Sequence, residues 1–269
     1  MFRLLILRPK WIVAIVGLLF FWLARSDWLT GSHLWQKSEG ILIDRHYLLR
    51  GDDLPRPEIK LVGLSTSSFK LDTLAPEEIA ASPTLQKMQE PWPWDRSVYG
   101  AVLQKLMDAG AKVVMFDFVF ASETDGDDAF AKALEKYKDR VVIGEMFADE
   151  EGVSGKTKKL TTPNERLLLP GTEGIVGLVN IWTDSDDVVR HGFYRTSIEH
   201  EAGLKGFPDN LTHISVLAAR KFKGKVALPP RDEPNLIDFQ GRAGTYRPLP
   251  VENMFVDALW KRPPFDDGE

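Results

Sequence analysis

The chain of 269 residues contains no cysteine. Thiol catalysis, disulfide chemistry and cysteine-ligated metals are therefore excluded. The absence says little about compartment, because a domain of this size does not need disulfides. A long basic run is also lacking. Of 34 basic and 39 acidic side chains, residues 1–30 hold four and one, which leaves 30 against 38 and about −8 for the remainder. Such an acidic balance argues against nucleic acid as a partner. The five histidines show no HExxH and no pair at helical metal spacing, and no serine lies in a GxSxG elbow. No metal, cofactor or catalytic constellation is expected. Gly155-Lys156-Thr157 has Glu150 where a phosphate-binding loop needs glycine, so it reads as a solvated basic turn.

Long apolar runs are scarce, with one at the start. Trp11–Leu29, with Arg25 snorkelling, rises roughly 28 Å as a helix, close to a hydrocarbon thickness of about 30 Å. Trp11 and Trp28 then sit near opposite interfaces, and Arg3, Arg8 and Lys10 keep the N-terminal end cytoplasmic. Leu23-Ala24-Arg25 is a poor cleavage site, which favours an uncleaved anchor over a signal peptide. Both readings export the remainder. The expected organisation is a cytoplasmic tail (1–10), a transmembrane anchor (11–29) and an extracytoplasmic domain (30–269).

Leu34–Leu49 predicts a short helix, broken by Gly51, Pro55 and Pro57. Ile59–Leu64 reads as a buried strand running into Ser65-Thr66-Ser67-Ser68. A short helix is expected at Glu77–Ala81. Asp95 is a helix N-cap, Val98, Val102, Leu106 and Ala109 line one face, and Gly110 stops the helix. Lys112–Phe120 and Val141–Gly144 predict strands, separated by a helix capped by Asp127 or Asp128. Asp149–Glu165 reads as an exposed loop. Ile175–Ile181, Val188–Ile198 and Leu236–Phe239 predict further strands, and Asn210–Lys221 a helix. Alternating strand and helix imply an α/β fold, a layered, mostly parallel sheet with helices on both faces, preceded by one transmembrane helix.

Open α/β sheets bind ligands at the carboxyl ends of their strands. That rule brings Ser65–Ser68, Asp117, Ser122 and Asn180–Asp184 together, with Arg96. Ser67, Arg96, Asp117, Asn180 and Asp184 are the candidate ligand contacts. Asp117, in a buried strand, is either a ligand contact or a structural acceptor for Arg96. The acidic clusters at Glu123–Asp128 and Asp184–Asp187 lack the pattern of an EF-hand and read as cap and turn chemistry. Trp92 and Trp94 beside prolines read as cover for a core edge.

Trp92-Pro93-Trp94-Asp95-Arg96-Ser97-Val98-Tyr99, then a helix, then Ala109–Phe120, resembles the type-2 CHASE domain. Gly177–Asn180, Asp184–Arg190, Ile237–Gly241 and Gly244–Arg247 resemble it too, so the likeness covers roughly residues 40–260. Members often carry a glycine where Asp187 stands here. The resemblance implies an extracytoplasmic sensor of a membrane-bound bacterial receptor such as a cyclase or histidine kinase. By the same analogy it implies a homodimer, an unknown small-molecule or protein signal, and no agreed ligand or catalytic residue. The family usually continues into membrane helices and an output domain, whereas this sequence stops at Glu269, which implies a fragment or a member without transmitter. The expected function is detection of a signal and regulation of an output domain absent from this chain, without catalysis in the chain itself. The alternatives are an exported hydrolase using Asp117, and an envelope assembly module with no ligand.

Overall fold

The computed structural model describes residues 9–24, 33–152, 155–172, 174–205 and 211–261. Helix α1 spans Pro9–Ala24, and Trp11, Val13, Leu18, Phe20 and Trp22 on it are all exposed. Its 16 residues rise about 24 Å, short of a hydrocarbon core of about 30 Å. Among the described residues no helix is long and apolar enough to cross a membrane. The expected transmembrane helix is corrected accordingly. With it go the single-pass placement in the cytoplasmic membrane and the membrane anchorage counted among the partners. Residues 25–29 of the expected span, and 1–8 of the expected tail, lie outside the described residues.

Helix α2 covers His33–Arg50. It ends where Gly51 takes φ 83°, a conformation cheap only for glycine. Strand β1 (Val62–Gly63) leads into α3 (Thr66–Lys70), where the Ser68 hydroxyl accepts from the Ser65 N–H at 3.0 Å. Helices α4 (Pro76–Ala81) and α5 (Pro83–Met88) each open on proline, whose missing N–H is no loss at a first helical position. Helix α6 (Arg96–Asp108) starts where the Asp95 carboxylate accepts from the Ser97 N–H at 2.8 Å, and Gly110 follows its end at φ 89°. Then come β2 (Val114–Met115), α7 (Asp127–Lys136), β3 (Val141–Gly152), β4 (Gly155–Thr161) and β5 (Val176–Leu178). The remainder holds β6 (His191–Gly192), β7 (Arg195–Thr196), α8 (Ile198–Ala202) and β8 (Leu211–Thr212). It closes with α9 (Ile214–Lys223), β9 (Asn235–Leu236), β10 (Leu249–Pro250) and α10 (Asp257–Trp260).

The sheet structure departs from the expected single, mostly parallel sheet. β3 pairs in parallel with β2 and β5 but antiparallel with β4. β1–β10 is a separate parallel pair, while β6–β9 and β7–β8 are separate antiparallel pairs. The fold is therefore mixed α/β. The expected exposed loop at Asp149–Glu165 is largely the β3–β4 hairpin, in which Asp149 faces Lys158 and Glu150 faces Thr157. Opposite charges set across a ladder stabilise it, so a charged sequence need not be a loop. Asp117 is corrected as well. Val114, Phe116 and Phe120 are buried while Met115 and Asp117 are exposed. Strand β2 ends at Met115, so Asp117 lies beyond it, in an extended segment whose exposure alternates rather than being buried on both faces.

The core lies between α6, α7 and the segment 114–120 that begins with β2. Val98, Tyr99, Val102, Leu103 and Met107 of α6 meet Phe130 and Leu134 of α7. Phe120 packs edge-on against both Tyr99 and Phe130, with ring centroids 5.0 Å apart in each pair. Burial pushes the Tyr99 phenol up to about 12.

Candidate functional site

The most heavily paired side chain lies where α2 meets the rest of the molecule. Arg190 is buried just before β6, and its N–H groups are shared among three carboxylates. Nε donates to Asp44 Oδ1 at 2.8 Å and Nη2 to Asp44 Oδ2 at 2.7 Å, a two-bond fork onto α2. Nη1 donates to Asp184 Oδ2 at 3.2 Å and to Asp186 Oδ1 at 2.8 Å. Hydrogen bonds from Arg190 hold the Asp44 and Asp186 carboxyls below the usual carboxylate range. Those carboxylates, Asp44 first, push the guanidinium further up. Gly40 makes the close approach possible, since a Cβ there would lie 3.0 Å from Arg190 Cζ.

Two further links tie α2 down. The Tyr47 hydroxyl donates to the Ile237 carbonyl at 2.5 Å, and Arg50 donates to the Asp238 carboxylate at 2.5 Å and to the Phe239 carbonyl. Ile237 in turn donates its N–H to the Arg190 carbonyl at 2.9 Å. Under this joint lies a cavity of about 400 Å³, walled by Tyr47 and Leu48 of α2 on one side and by Val189 and Phe239 on the other. A second cavity of about 220 Å³ lies between Trp182, His191 and Phe193. Asp184 joins the two regions, because its Oδ1 lies 3.0 Å from His191 Nδ1 while its Oδ2 holds Arg190.

The residues singled out in the sequence are engaged with separate neighbours. Asp184 belongs to the Arg190 cluster. Arg96 donates to the Ser122 carbonyl at 3.1 Å and its Nε lies 3.7 Å from the buried Asp127 carboxylate, so Arg96 and Ser122 do meet. The Ser67 hydroxyl donates to Glu252 Oε1 at 2.6 Å, and Ser68 to Oε2 at 2.6 Å. Asn180 uses its amide as a strand partner, accepting from the Phe147 N–H at 2.7 Å and donating to the Phe147 carbonyl at 2.9 Å. Asp117 is exposed and lines neither cavity. Its charge acts on His213, whose imidazole burial pushes down and Asp117 partly pushes back up.

Sequence reasoning missed Arg190, Asp44, Glu252 and His213. The run Asp184–Arg190 carried a signal for the first, since Asp186 and Arg190 are four residues apart. Nothing local announced Asp44, 146 positions away.

The family model of the CHASE2 domain matches residues 13–262. The chain belongs to that family. No curated protein and no solved structure matches it. A CHASE2 domain is a sensory module of signal transduction and not a catalyst, so that role holds for this chain. In this CHASE2 domain Asp187, where the resemblance led to the expectation of glycine, takes φ 61°. A left-handed residue stands in this turn without glycine. Asp187 N–H donates to the Asp184 carbonyl at 3.0 Å, and Asp184 N–H to the Val188 carbonyl at 2.8 Å. That turn presents Asp184 and Asp186 to Arg190.

Proposed function

We propose that this CHASE2 domain detects a chemical signal and regulates an output domain outside the chain through the attachment of α2. The sensory unit is taken as residues 30–269. The observation that carries the reading is the Asp44–Arg190 fork, which ties a helix near the start of the chain to a turn far along it. A signal moves such a joint only to the extent that it binds the docked and released arrangements differently. The larger cavity has α2 on one wall, so an occupant touches both partners of the joint.

Two-site spin labelling tests this directly, and a chain without native cysteine accepts it cleanly. Labels at Leu42→Cys on α2 and Lys132→Cys on α7 report the distance between helix and core. Both positions are exposed. Asp44→Asn should add a longer-distance population while the core stays folded. An identical distance distribution in parent and variant would refute the reading.

A further inference from the structure

We propose that the outward face of α2 is where two copies of this chain pair, helix against antiparallel helix. α2 is amphipathic the wrong way round for a helix that packs on a globular body. Gly40, Ile43, Asp44 and Tyr47 are its buried and half-buried side, and the hold there is polar, through the Asp44–Arg190 fork and the Tyr47 hydroxyl on the Ile237 carbonyl. The larger apolar side chains point out. Ile41 is 51% exposed, Leu42 and Leu48 68%, Leu49 87% and Trp35 37%. At about 100° per residue those five fill an arc of roughly 140°, centred almost opposite the body-facing side. An apolar arc that wide is what a helix turns towards a core, yet no described residue of the chain covers it.

Charge selects the occupant. Ser38 and Arg45 stand seven residues apart in the middle of the arc, between the apolar side chains. A helix lying on a lipid surface keeps its basic residues on the polar face, and here Arg45 would be pressed into the apolar layer. A parallel copy of α2 would set Arg45 against the partner's Arg45. An antiparallel copy crossing at Leu42 sets Leu42 on the partner's Leu42 and Trp35 beside the partner's Leu49. It sets Arg45 opposite the partner's Ser38, with the partner's Glu39 one residue further on. Among the described residues Glu39 and Arg45 are exposed and carry no ion pair, so no existing contact is broken to bring them together. Size sets the strength. The 18-residue helix is about 27 Å long, and a strip about 10 Å wide along it covers roughly 300 Å². That is well under the ~800 Å² per partner of a stable interface, so the pairing is reversible.

A chain without cysteine makes the test direct. Under mild oxidant, at roughly 100 µM chain to suit a small interface, Leu42→Cys should form a disulfide-linked dimer, because the crossing brings its two copies within the ~7 Å that a disulfide spans. Leu49→Cys should not link to itself, since its copies lie about 21 Å apart along the helices, but should link when mixed with Trp35→Cys. By sedimentation equilibrium Leu42→Glu should weaken self-association at least tenfold and Leu49→Glu at least threefold. Both variants keep α1, so any association through that helix is common to them and the parent. The proposal is overturned if Leu49→Cys links to itself as readily as Leu42→Cys, or if neither glutamate changes self-association. It is overturned too if the chain binds phosphatidylglycerol vesicles through Leu42 and Leu42→Cys gives no dimer. The outward face is exposed while α2 is docked, so the inference goes beyond the reading of α2 as a moving element. The labels at positions 42 and 132, diluted with unlabelled chain, read docking within one copy, so the two failures are distinguishable.

Discussion

Replacing Arg190 with methionine removes the guanidinium but keeps much of its apolar stem. Deleting one partner of a buried ion pair costs about 3–5 kcal/mol, because the charges left behind are uncompensated. Here the stranded groups are Asp44, Asp184 and Asp186, whose side chains are 45%, 24% and 27% exposed. Water reaches them, which places the expected loss near the lower end, about 3 kcal/mol. Against a typical total of 5–15 kcal/mol that is a large fraction. Acid gives the sharper signature. In the parent, Asp44 and Asp186 titrate below their unfolded values, so their contribution is present above pH ~3.9 and lost as pH falls through the folded values. In the variant the same carboxylates face like charge and their folded values rise. Protonation then relieves repulsion, and the gap between parent and variant narrows from pH 7 towards pH 4. Urea unfolding at pH 7, 5.5 and 4.5 measures both effects. A loss under about 1 kcal/mol at pH 7, or a gap that widens on acidification, would refute the assignment of Arg190 as the charge that holds this joint.

Three other outcomes are expected. His213 caps α9 by accepting from the Ser215 N–H through Nδ1 at 3.3 Å, and its folded pKa is depressed by burial. Its contribution is full above pH ~6.5 and is lost as pH falls through the folded value, so His213→Asn, which keeps a cap, should flatten the stability slope just below pH 6.5 in thermal melts. Phe130→Ala, at a fully buried ring, should cost about 3–5 kcal/mol by denaturant titration. Gly144→Ala places a Cβ 2.7 Å from the Phe118 carbonyl oxygen and 2.6 Å from Val179 Cγ1, and should lower stability by about 1–3 kcal/mol, visible as a fall in Tm.

Local periodicity made α6 legible, because its cap, apolar face and terminal glycine all lie within Asp95–Gly110. α2 was equally readable. The β3–β4 hairpin was not, since Asp149, Glu150 and Glu151 on one strand and Lys158 and Lys159 on the next look solvated until they are set opposite one another. Asp117 misled for the same reason in reverse. A run of apolar residues around it suggested burial on both faces, yet Met115 beside it is 45% exposed. Of the residues that the strand-end rule named, Asp184 sits in the Arg190 cluster, Ser67 meets a buried glutamate and Asn180 meets a strand backbone. The cluster itself depends on two segments 146 residues apart, and no window of sequence contains both.

The arrangement of donors on Arg190 has a further consequence. Should Asp44 withdraw, the guanidinium keeps Asp184 and Asp186, so departure of the helix strands no naked cation inside the protein. Two resident anions and one visitor make undocking a change of company rather than a rupture. On the proposed reading, such a catch opens with the scaffold's own ion pairs left in place.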